Sequence, residues 1–211
     1  MIKFLTQKEI NKSKWDDCLN NSPQAIIYSL SWYLDIVSPN WSALVKGDYE
    51  AIMPLPTKKK FGINYIIQPI FVQQLGIYTK QILTSELEQE FLNTIPKKYK
   101  WIHLNMNESC DVKLYTKQNI NLTLNINRPY SEIQACYSSK CRRNIKLSLK
   151  EETNIESSTN PEAFIKLFRS EKGELLPHLK DKAYEKLHKI ISTAIANNRG
   201  ELILGNQKMA I

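Results

Sequence analysis

The stretch Trp41-Ser42-Ala43-Leu44-Val45-Lys46-Gly47-Asp48-Tyr49-Glu50-Ala51-Ile52-Met53-Pro54-Leu55 contains two apolar runs joined by a short polar segment. Trp41 to Val45 and Tyr49 to Leu55 have the length and the branched, aromatic composition of strands. Lys46-Gly47-Asp48 between them has the composition of a tight turn. This order predicts a β-hairpin, and we expect an antiparallel sheet to be built around it.

The residues on both sides of this hairpin carry helix and strand signals. On the N-terminal side we expect a strand over Ile2–Leu5, a helix that begins at Thr6 with Glu9 at capping-box spacing, and a helix over Ser31–Val37. On the C-terminal side we expect a basic hairpin loop over Thr57–Gly62, a strand over Ile63–Ile67, a helix from Ser85, a strand over Tyr99–Leu104, a helix over Cys110–Lys117 and a strand over Ile120–Ile126. Residues 1–127 therefore follow the order strand, helix, helix, three antiparallel strands, helix, strand, helix, strand.

A basic helix is predicted over Ser138–Lys150, with Ser138 or Ser139 as its N-cap. Cys141, Ile145 and Leu149 recur at helical spacing and form one apolar stripe. The cations on the rest of the helix are candidate contacts for an anionic ligand, and they are Lys140, Arg142, Arg143 and Lys146. A solvated face of a lysine-rich protein is the alternative interpretation.

The pattern of the first part begins again after residue 127. We expect a strand over Thr153–Ser157, a helix from Pro161, a helix over Asp181–Asn197 and a strand over Glu201–Leu204, with a further strand from Lys208. This order predicts two domains, 1–127 and 128–211, of which the second is an incomplete repeat of the first.

The composition is that of a globular protein, with 42% hydrophobic residues and a net charge of +8 over 211 residues. This charge is compatible with an anionic partner such as nucleic acid, a phosphate-bearing cofactor or a membrane surface. The N-terminus lacks the apolar region of a signal peptide, and no run reaches the roughly 18 apolar residues of a membrane span. We therefore expect a cytoplasmic protein. The four cysteines show no metal-binding spacing, so we expect them to be reduced and expect no metal site.

A set of short motifs extends over the whole chain. They are Trp15, Ser22-Pro23, Trp32, Met53-Pro54-Leu55-Pro56-Thr57-Lys58-Lys59-Lys60-Phe61-Gly62, Gln68-Pro69, Gln73-Gln74-Leu75-Gly76, Tyr137-Ser138 and Arg142-Arg143-Asn144-Ile145-Lys146. The set resembles the FemAB-like branch of the GNAT (Gcn5-related N-acetyltransferase) superfamily, in particular bacterial acyltransferase-like proteins with two tandem GNAT-like domains. The resemblance implies a mixed α/β (α+β) fold with a central, mostly antiparallel sheet flanked by helices, followed by a truncated second copy. It also implies transfer of an acyl or aminoacyl group to an amine.

The resemblance places the cofactor loop of the first copy at Gln73-Gln74-Leu75-Gly76-Ile77-Tyr78. In the family, backbone N–H groups of a Gln/Arg-x-x-Gly-x-Gly/Ala loop hold the coenzyme A pyrophosphate at a helix N-terminus. Gln73 and Gly76 match this signature and Tyr78 does not, so we expect a degenerate site. In a full-length form the donor would be acyl-CoA or aminoacyl-tRNA and the acceptor a small-molecule or aminoacyl substrate, whereas this chain alone is expected to be inactive.

No catalytic residue is assigned from the sequence. Glu171, Glu174, His178 and Asp181 form the nearest group of acids and histidine, but a polar loop between helices explains them as well. The alternative to an enzyme is a non-catalytic binding or scaffold module that associates with a partner or with itself through its incomplete second domain. Nucleic acid is a third partner class, although Tyr137 is the only aromatic residue close to the basic helix.

Overall fold

The computed structural model gives a mixed α+β protein in which seven α-helices accompany three open sheets within the described residues. The described residues are 1–107, 117, 119–150, 155–173, 175–177 and 179–205. The chain divides into two compact units. The first unit comprises Met1–Lys117 and Glu185–Ile190, and the second comprises Gln118–Tyr184 and Ile191–Ile211.

Within the described residues the first unit contains two separate sheets and three helices of its own, so the single central sheet expected from the resemblance is not formed. Its strands are β1 (Ile2–Thr6), β2 (Ser42–Lys46), β3 (Ala51–Leu55), β4 (Thr57–Lys60), β5 (Ile63–Ile67), β6 (Tyr78–Thr79) and β7 (Tyr99–His103), and its helices are α1 (Lys12–Asn20), α2 (Ser31–Val37) and α3 (Ser85–Thr94). One sheet has the order β1-β2-β3-β6 and is antiparallel throughout. The other has the order β4-β5-β7, in which β5 and β7 run parallel.

The predicted hairpin is confirmed as β2 and β3. The two strands pair antiparallel from Ser42 opposite Leu55 to Lys46 opposite Ala51. Every residue of β3 is buried, which explains why it reads as an uninterrupted apolar run rather than an alternating one. A proline, Pro54, lies inside β3, and the short strand β6 pairs only with the first two β3 residues.

The antiparallel sheet packs on both faces. Val45 lies in one hydrophobic cluster together with Trp15 of α1 and Leu34 of α2. Leu44, the neighbour of Val45 on β2, lies in a second cluster with Phe91 of α3. Successive side chains of a strand point to opposite faces. Helices α1 and α2 therefore cover one face of this sheet, and α3 covers the other face.

Two boundaries near the N-terminus and the hairpin differ from the sequence prediction. The Thr6–Glu9 capping box is present, but it caps a single 3₁₀ turn, and α1 begins at Lys12 with Asn11 as its N-cap. The predicted loop Thr57–Gly62 is instead strand β4 followed by a two-residue turn. β4 is an edge strand, where exposed lysines are tolerated because their side chains reach solvent.

The predicted strand over Ile120–Ile126 is wrong. Residues 119–127 form no strand in the described structure, and the apolar side chains Ile120, Leu122, Leu124 and Ile126 are exposed. An alternating pattern becomes a strand only where a neighbouring strand supplies the ladder hydrogen bonds. The predicted helix over 110–117 falls almost wholly outside the described residues, and the predicted strand from Lys208 lies outside them as well.

The second unit contains helices and a two-stranded sheet. Its elements are α4 (Tyr130–Ala135), α5 (Ser139–Lys150), β8 (Ile155–Ser158), α6 (Pro161–Lys172), α7 (Asp181–Ala196) and β9 (Leu202–Gly205), with residues 185–190 of α7 assigned to the first unit. β8 and β9 pair antiparallel. The predicted start of α6 is confirmed, since Asn160 Oδ1 accepts a hydrogen bond from the Ala163 backbone N–H and proline occupies the first helical position.

Candidate functional site

The loop that the sequence indicates as a cofactor loop leads from β5 into β6 and is fastened to the residues after β7. The Gln68 side chain donates to the Val72 carbonyl at 3.1 Å and accepts from the Asn105 backbone N–H at 3.2 Å. Leu75 forms an isolated parallel bridge with Met106. These contacts hold the loop beside the residues that follow β7, and the Leu75–Met106 bridge is parallel, like the pairing of β5 with β7.

Gly76 is buried against an asparagine. A Cβ atom at this position would overlap with the amide of Asn107, whose Nδ2 donates to the Ile77 carbonyl at 3.1 Å. The φ angle of Gly76 is not in the left-handed region, so the glycine is required for space rather than for backbone freedom. The space next to Gly76 therefore holds a protein side chain, where the family signature needs a phosphate.

Gln73 and Gly76 do not together form a phosphate-binding loop. The Gln73 side chain is exposed, and its backbone carbonyl accepts a hydrogen bond from Asn105 Nδ2 at 3.0 Å. Tyr78, the residue that departs from the family signature, belongs to β6 and is fully buried. The Ser29 hydroxyl donates to the Tyr78 hydroxyl oxygen at 2.7 Å, and burial raises the pKa of Tyr78 well above its ordinary value. Tyr78 is thus a core residue.

The N-terminus of α3 is closed by its own side chains. Thr84 is the N-cap, and its hydroxyl accepts from the Leu87 backbone N–H at 3.3 Å. Glu86 and Glu88 add two acidic residues to the first turn. Hydrogen bonds from its own backbone N–H and from Thr84 hold the pKa of Glu86 below its ordinary value. Because these groups already complement the positive helix end, this loop and helix do not fit the pyrophosphate of coenzyme A.

The basic helix α5 is exposed along its length, and none of its residues is fully buried. Of the two predicted N-cap candidates, Ser138 and Ser139, the cap is Ser138, since its hydroxyl accepts from the Cys141 backbone N–H at 3.2 Å. Within the predicted apolar stripe, Cys141 and Ile145 are half-buried, whereas Leu149 is 74% exposed.

One of the four predicted cations has a structural role. Arg142 Nε donates to the Tyr137 carbonyl at 2.9 Å and Arg142 Nη2 donates to the Ala135 carbonyl at 3.2 Å. These carbonyls lie at and just beyond the end of α4, where a helix leaves acceptors unsatisfied. The guanidinium of Arg142 therefore fastens α4 to α5.

The other three predicted cations form a row. Lys140, Arg143 and Lys146 follow each other at three-residue spacing, which makes consecutive members neighbours on a helix surface. All three side chains are exposed, and none makes a salt bridge within the part of the chain that the structure describes. Lys140, Arg143 and Lys146 remain the candidate contacts for an anionic ligand.

The group of acids and histidine does not assemble into a catalytic centre among the described residues. Glu174 and His178 lie outside these residues, and Glu171 is exposed. Asp181 accepts from Arg169 Nη2 at 2.7 Å, and the Arg169 guanidinium lies 4.8 Å from the centre of the Tyr184 ring. These residues line an open cleft of about 410 Å³. No local sequence pattern indicates this cleft, because it depends on how α6 and the start of α7 approach each other.

The described residues contain no group of three histidine, cysteine or acidic side chains that could hold a metal ion. None of their helices has both the length and the apolarity that crossing a membrane requires.

Comparison with known proteins found no matching family model, no matching curated protein and no matching solved structure.

Proposed function

We propose that this chain is an acyltransferase-like protein of the FemAB-like branch of the GNAT superfamily, whose first unit is a non-catalytic copy without an acyl-donor site. The observation that carries the proposal is the parallel pair β5 and β7, joined through α3 and preceded by antiparallel β1, β2 and β3 with two helices between β1 and β2. Up to β7 this order agrees with the one predicted from the sequence, apart from the additional strands β4 and β6, whereas the strand predicted over Ile120–Ile126 is not formed.

The packing of the donor loop supports a non-catalytic role for the first unit. The Asn107 amide fills the space beside Gly76, and acidic residues occupy the first turn of α3. A pyrophosphate would have to displace a hydrogen-bonded, buried amide and approach two carboxyl groups, and both changes cost free energy. An acyl donor, whether acyl-CoA or aminoacyl-tRNA, would then be bound outside this loop. The cationic row of α5 suits the phosphates of such a donor.

Titration calorimetry with acetyl-CoA tests the absence of a donor site, and release of free thiol in the presence of amine acceptors tests turnover. We expect no saturable binding and no thiol release. Binding with one site per chain that is lost in Gln73→Ala and retained in Gln81→Ala would overturn the proposal. Both glutamine side chains are exposed, so neither substitution is expected to disturb the fold.

A binding or scaffold module is the second candidate function. It is favoured by large apolar side chains on the second unit that are exposed, namely Leu147, Leu149, Ile155, Leu175 and Ile203. Exposed apolar side chains indicate an interaction surface where they lie together, and Ile155 and Ile203 share one face of the β8/β9 pair. A concentration-dependent mass in light scattering, reduced by Leu149→Lys and unchanged by Lys150→Gln, would favour this role over the acyltransferase-like one.

A further inference from the structure

The tip of the β4/β5 hairpin carries an exposed aromatic residue in a strained conformation. Lys60 pairs with Ile63, so Phe61 and Gly62 form a two-residue turn, with φ angles of 50° and 78°. Positive φ at both positions is the requirement of a type I′ turn, which favours Asn or Gly. A bulky residue with positive φ costs conformational energy, and such strain concentrates at functional positions. Phe61 is 90% exposed, so packing in the core does not explain its presence.

Other apolar and basic side chains share a face of the sheet near this tip. Lys58 pairs with Tyr65, and Tyr65 pairs with Trp101 on β7, where the two ring centres are 6.2 Å apart. Because side chains alternate along a strand, Lys60 lies on the side of Lys58, and Ile63 lies on the side of Tyr65. Trp101 is 59% exposed and Ile63 is also exposed. We call Lys58, Lys60, Phe61, Ile63, Tyr65 and Trp101 the tip surface.

The sequence around the tip surface contains lysines without acids. Residues 51–85 and 91–107 include all of β3 to β7 and contain no aspartate or glutamate. Lys58, Lys59 and Lys60 make no salt bridge within the described residues. The electrostatic potential around the hairpin is therefore positive, and a binding partner of the tip surface should present an extended anionic surface.

We propose that the tip surface binds the surface of an anionic lipid bilayer. Phe61 and Ile63 enter the boundary between headgroups and acyl chains, the lysines contact anionic headgroups, and Trp101 with Tyr65 lies at the headgroup level. The apolar tip with its basic surround fits a bilayer better than single-stranded nucleic acid. An aliphatic Ile63 offers nothing to a stacked base, and Lys60 Nζ already lies 5.2 Å from the centre of the Phe61 ring. This inference does not depend on the proposed acyltransferase-like function.

Vesicle co-sedimentation of the full chain tests the proposal. We expect binding to vesicles of phosphatidylcholine mixed with phosphatidylserine, weak binding to phosphatidylcholine alone, and loss of binding as salt is raised. Replacing Lys58, Lys59 and Lys60 by Gln together should lower the partition coefficient at least ~30-fold, which corresponds to about 1 kcal/mol for each of the two lysines of the tip surface, Lys58 and Lys60, since Lys59 lies on the other face of β4. The matched control replaces three exposed lysines of other segments, Lys8, Lys166 and Lys182, and should change the partition coefficient less than ~3-fold.

The Phe61→Asn substitution removes the proposed membrane contact without destabilising the hairpin. Asparagine adopts positive φ readily, so the hairpin should be at least as stable as in the native chain. The partition coefficient should nevertheless fall about tenfold or more, since a phenylalanine side chain no longer leaves water. Ile82→Asn is the control, because Ile82 is 85% exposed on another loop of the same unit and should leave vesicle binding unchanged.

Three results would overturn the proposal. The first is equal binding to both kinds of vesicle, and the second is native vesicle binding by Phe61→Asn. The third is a single-stranded oligonucleotide that binds more tightly than anionic vesicles do and that no longer binds when Lys58, Lys59 and Lys60 are replaced. The last result would assign the tip surface to nucleic acid instead.

Discussion

Replacing Gly76 by alanine should destabilise the first unit through Asn107. The added Cβ overlaps with the Asn107 amide, which has to move and gives up its hydrogen bond to the Ile77 carbonyl. Leaving this buried carbonyl unpaired costs about 1–3 kcal/mol, and the crowding itself costs about 1–3 kcal/mol. Because movement of the amide relieves part of the crowding, we expect a loss of about 2–4 kcal/mol in the free energy of unfolding.

Urea unfolding followed by tryptophan fluorescence measures this loss, since Trp15 and Trp41 are buried in the first unit. The sharp comparison is Gly76→Ala in the background of Asn107→Ala. The three atoms nearest to the added Cβ all belong to the Asn107 amide, so in that background the alanine should cost less than about 1 kcal/mol. An equal cost in both backgrounds, or a single-variant cost below about 0.5 kcal/mol, would refute the reasoning.

Three further predictions concern the buried groups of the first unit. Trp15→Phe should cost about 2–4 kcal/mol, because the Ser29 carbonyl loses the indole N–H that donates to it at 2.8 Å and a cavity remains; urea unfolding measures this. Burial opposes the ionisation of Asp35, but hydrogen bonds from a lysine, a glutamine and a tryptophan hold its pKa below the ordinary value. The stability from its charge is therefore present above the unfolded pKa of about 4 and is lost as pH falls through the lower folded pKa, so Asp35→Asn should weaken the native chain near neutral pH and flatten its acid-induced loss of stability. Burial raises the pKa of Cys18 to about 11, so alkylation of the native chain near pH 8 should label the exposed Cys136 and leave Cys18 unlabelled, as peptide mass spectrometry would show.

Each of these predictions has a control and a contradicting result. Trp32→Phe, at a half-buried tryptophan, should cost less than Trp15→Phe, and the reverse order would contradict the buried hydrogen bond. Asp48→Asn removes an exposed carboxylate and should weaken the native chain near neutral pH less than Asp35→Asn does; an equal loss would count against the reasoning. Rapid labelling of Cys18 before unfolding would show that its pocket opens in the native chain.

The parts of the fold that could be predicted from the sequence are those fixed by neighbouring residues. The β2/β3 hairpin follows from two apolar runs and a turn, and the start of α6 follows from Asn160-Pro161. The strand β4 was missed because three lysines disfavour a strand locally, whereas its pairing with β5 is a tertiary interaction. The opposite error occurs at residues 119–127, where the sequence has a local strand pattern but no strand pairs with it among the described residues.

The candidate site shows the same division. Sequence reasoning found the cations of α5, but it had no signal that Arg142 bonds to the carbonyls at the end of α4. It found Gly76 from a family signature, yet the residue that explains the glycine, Asn107, is distant in sequence and was not considered. Contacts between distant residues decide which members of a motif are free for a ligand, and local patterns do not contain them.

Pro54 inside β3 affects how this protein meets other chains. β6 pairs with Ala51 and Ile52 only, so the rest of that side of β3 lacks a strand partner among the described residues. An open strand edge can recruit a strand from another molecule and begin aggregation. This part of β3 is shielded from that, because all residues of β3 and Pro56 are buried and the Pro56 carbonyl accepts a hydrogen bond from the Ile67 backbone N–H at 3.2 Å. Pro54 adds a second safeguard, since a proline has no N–H to offer to a strand ladder if the cover over it should open.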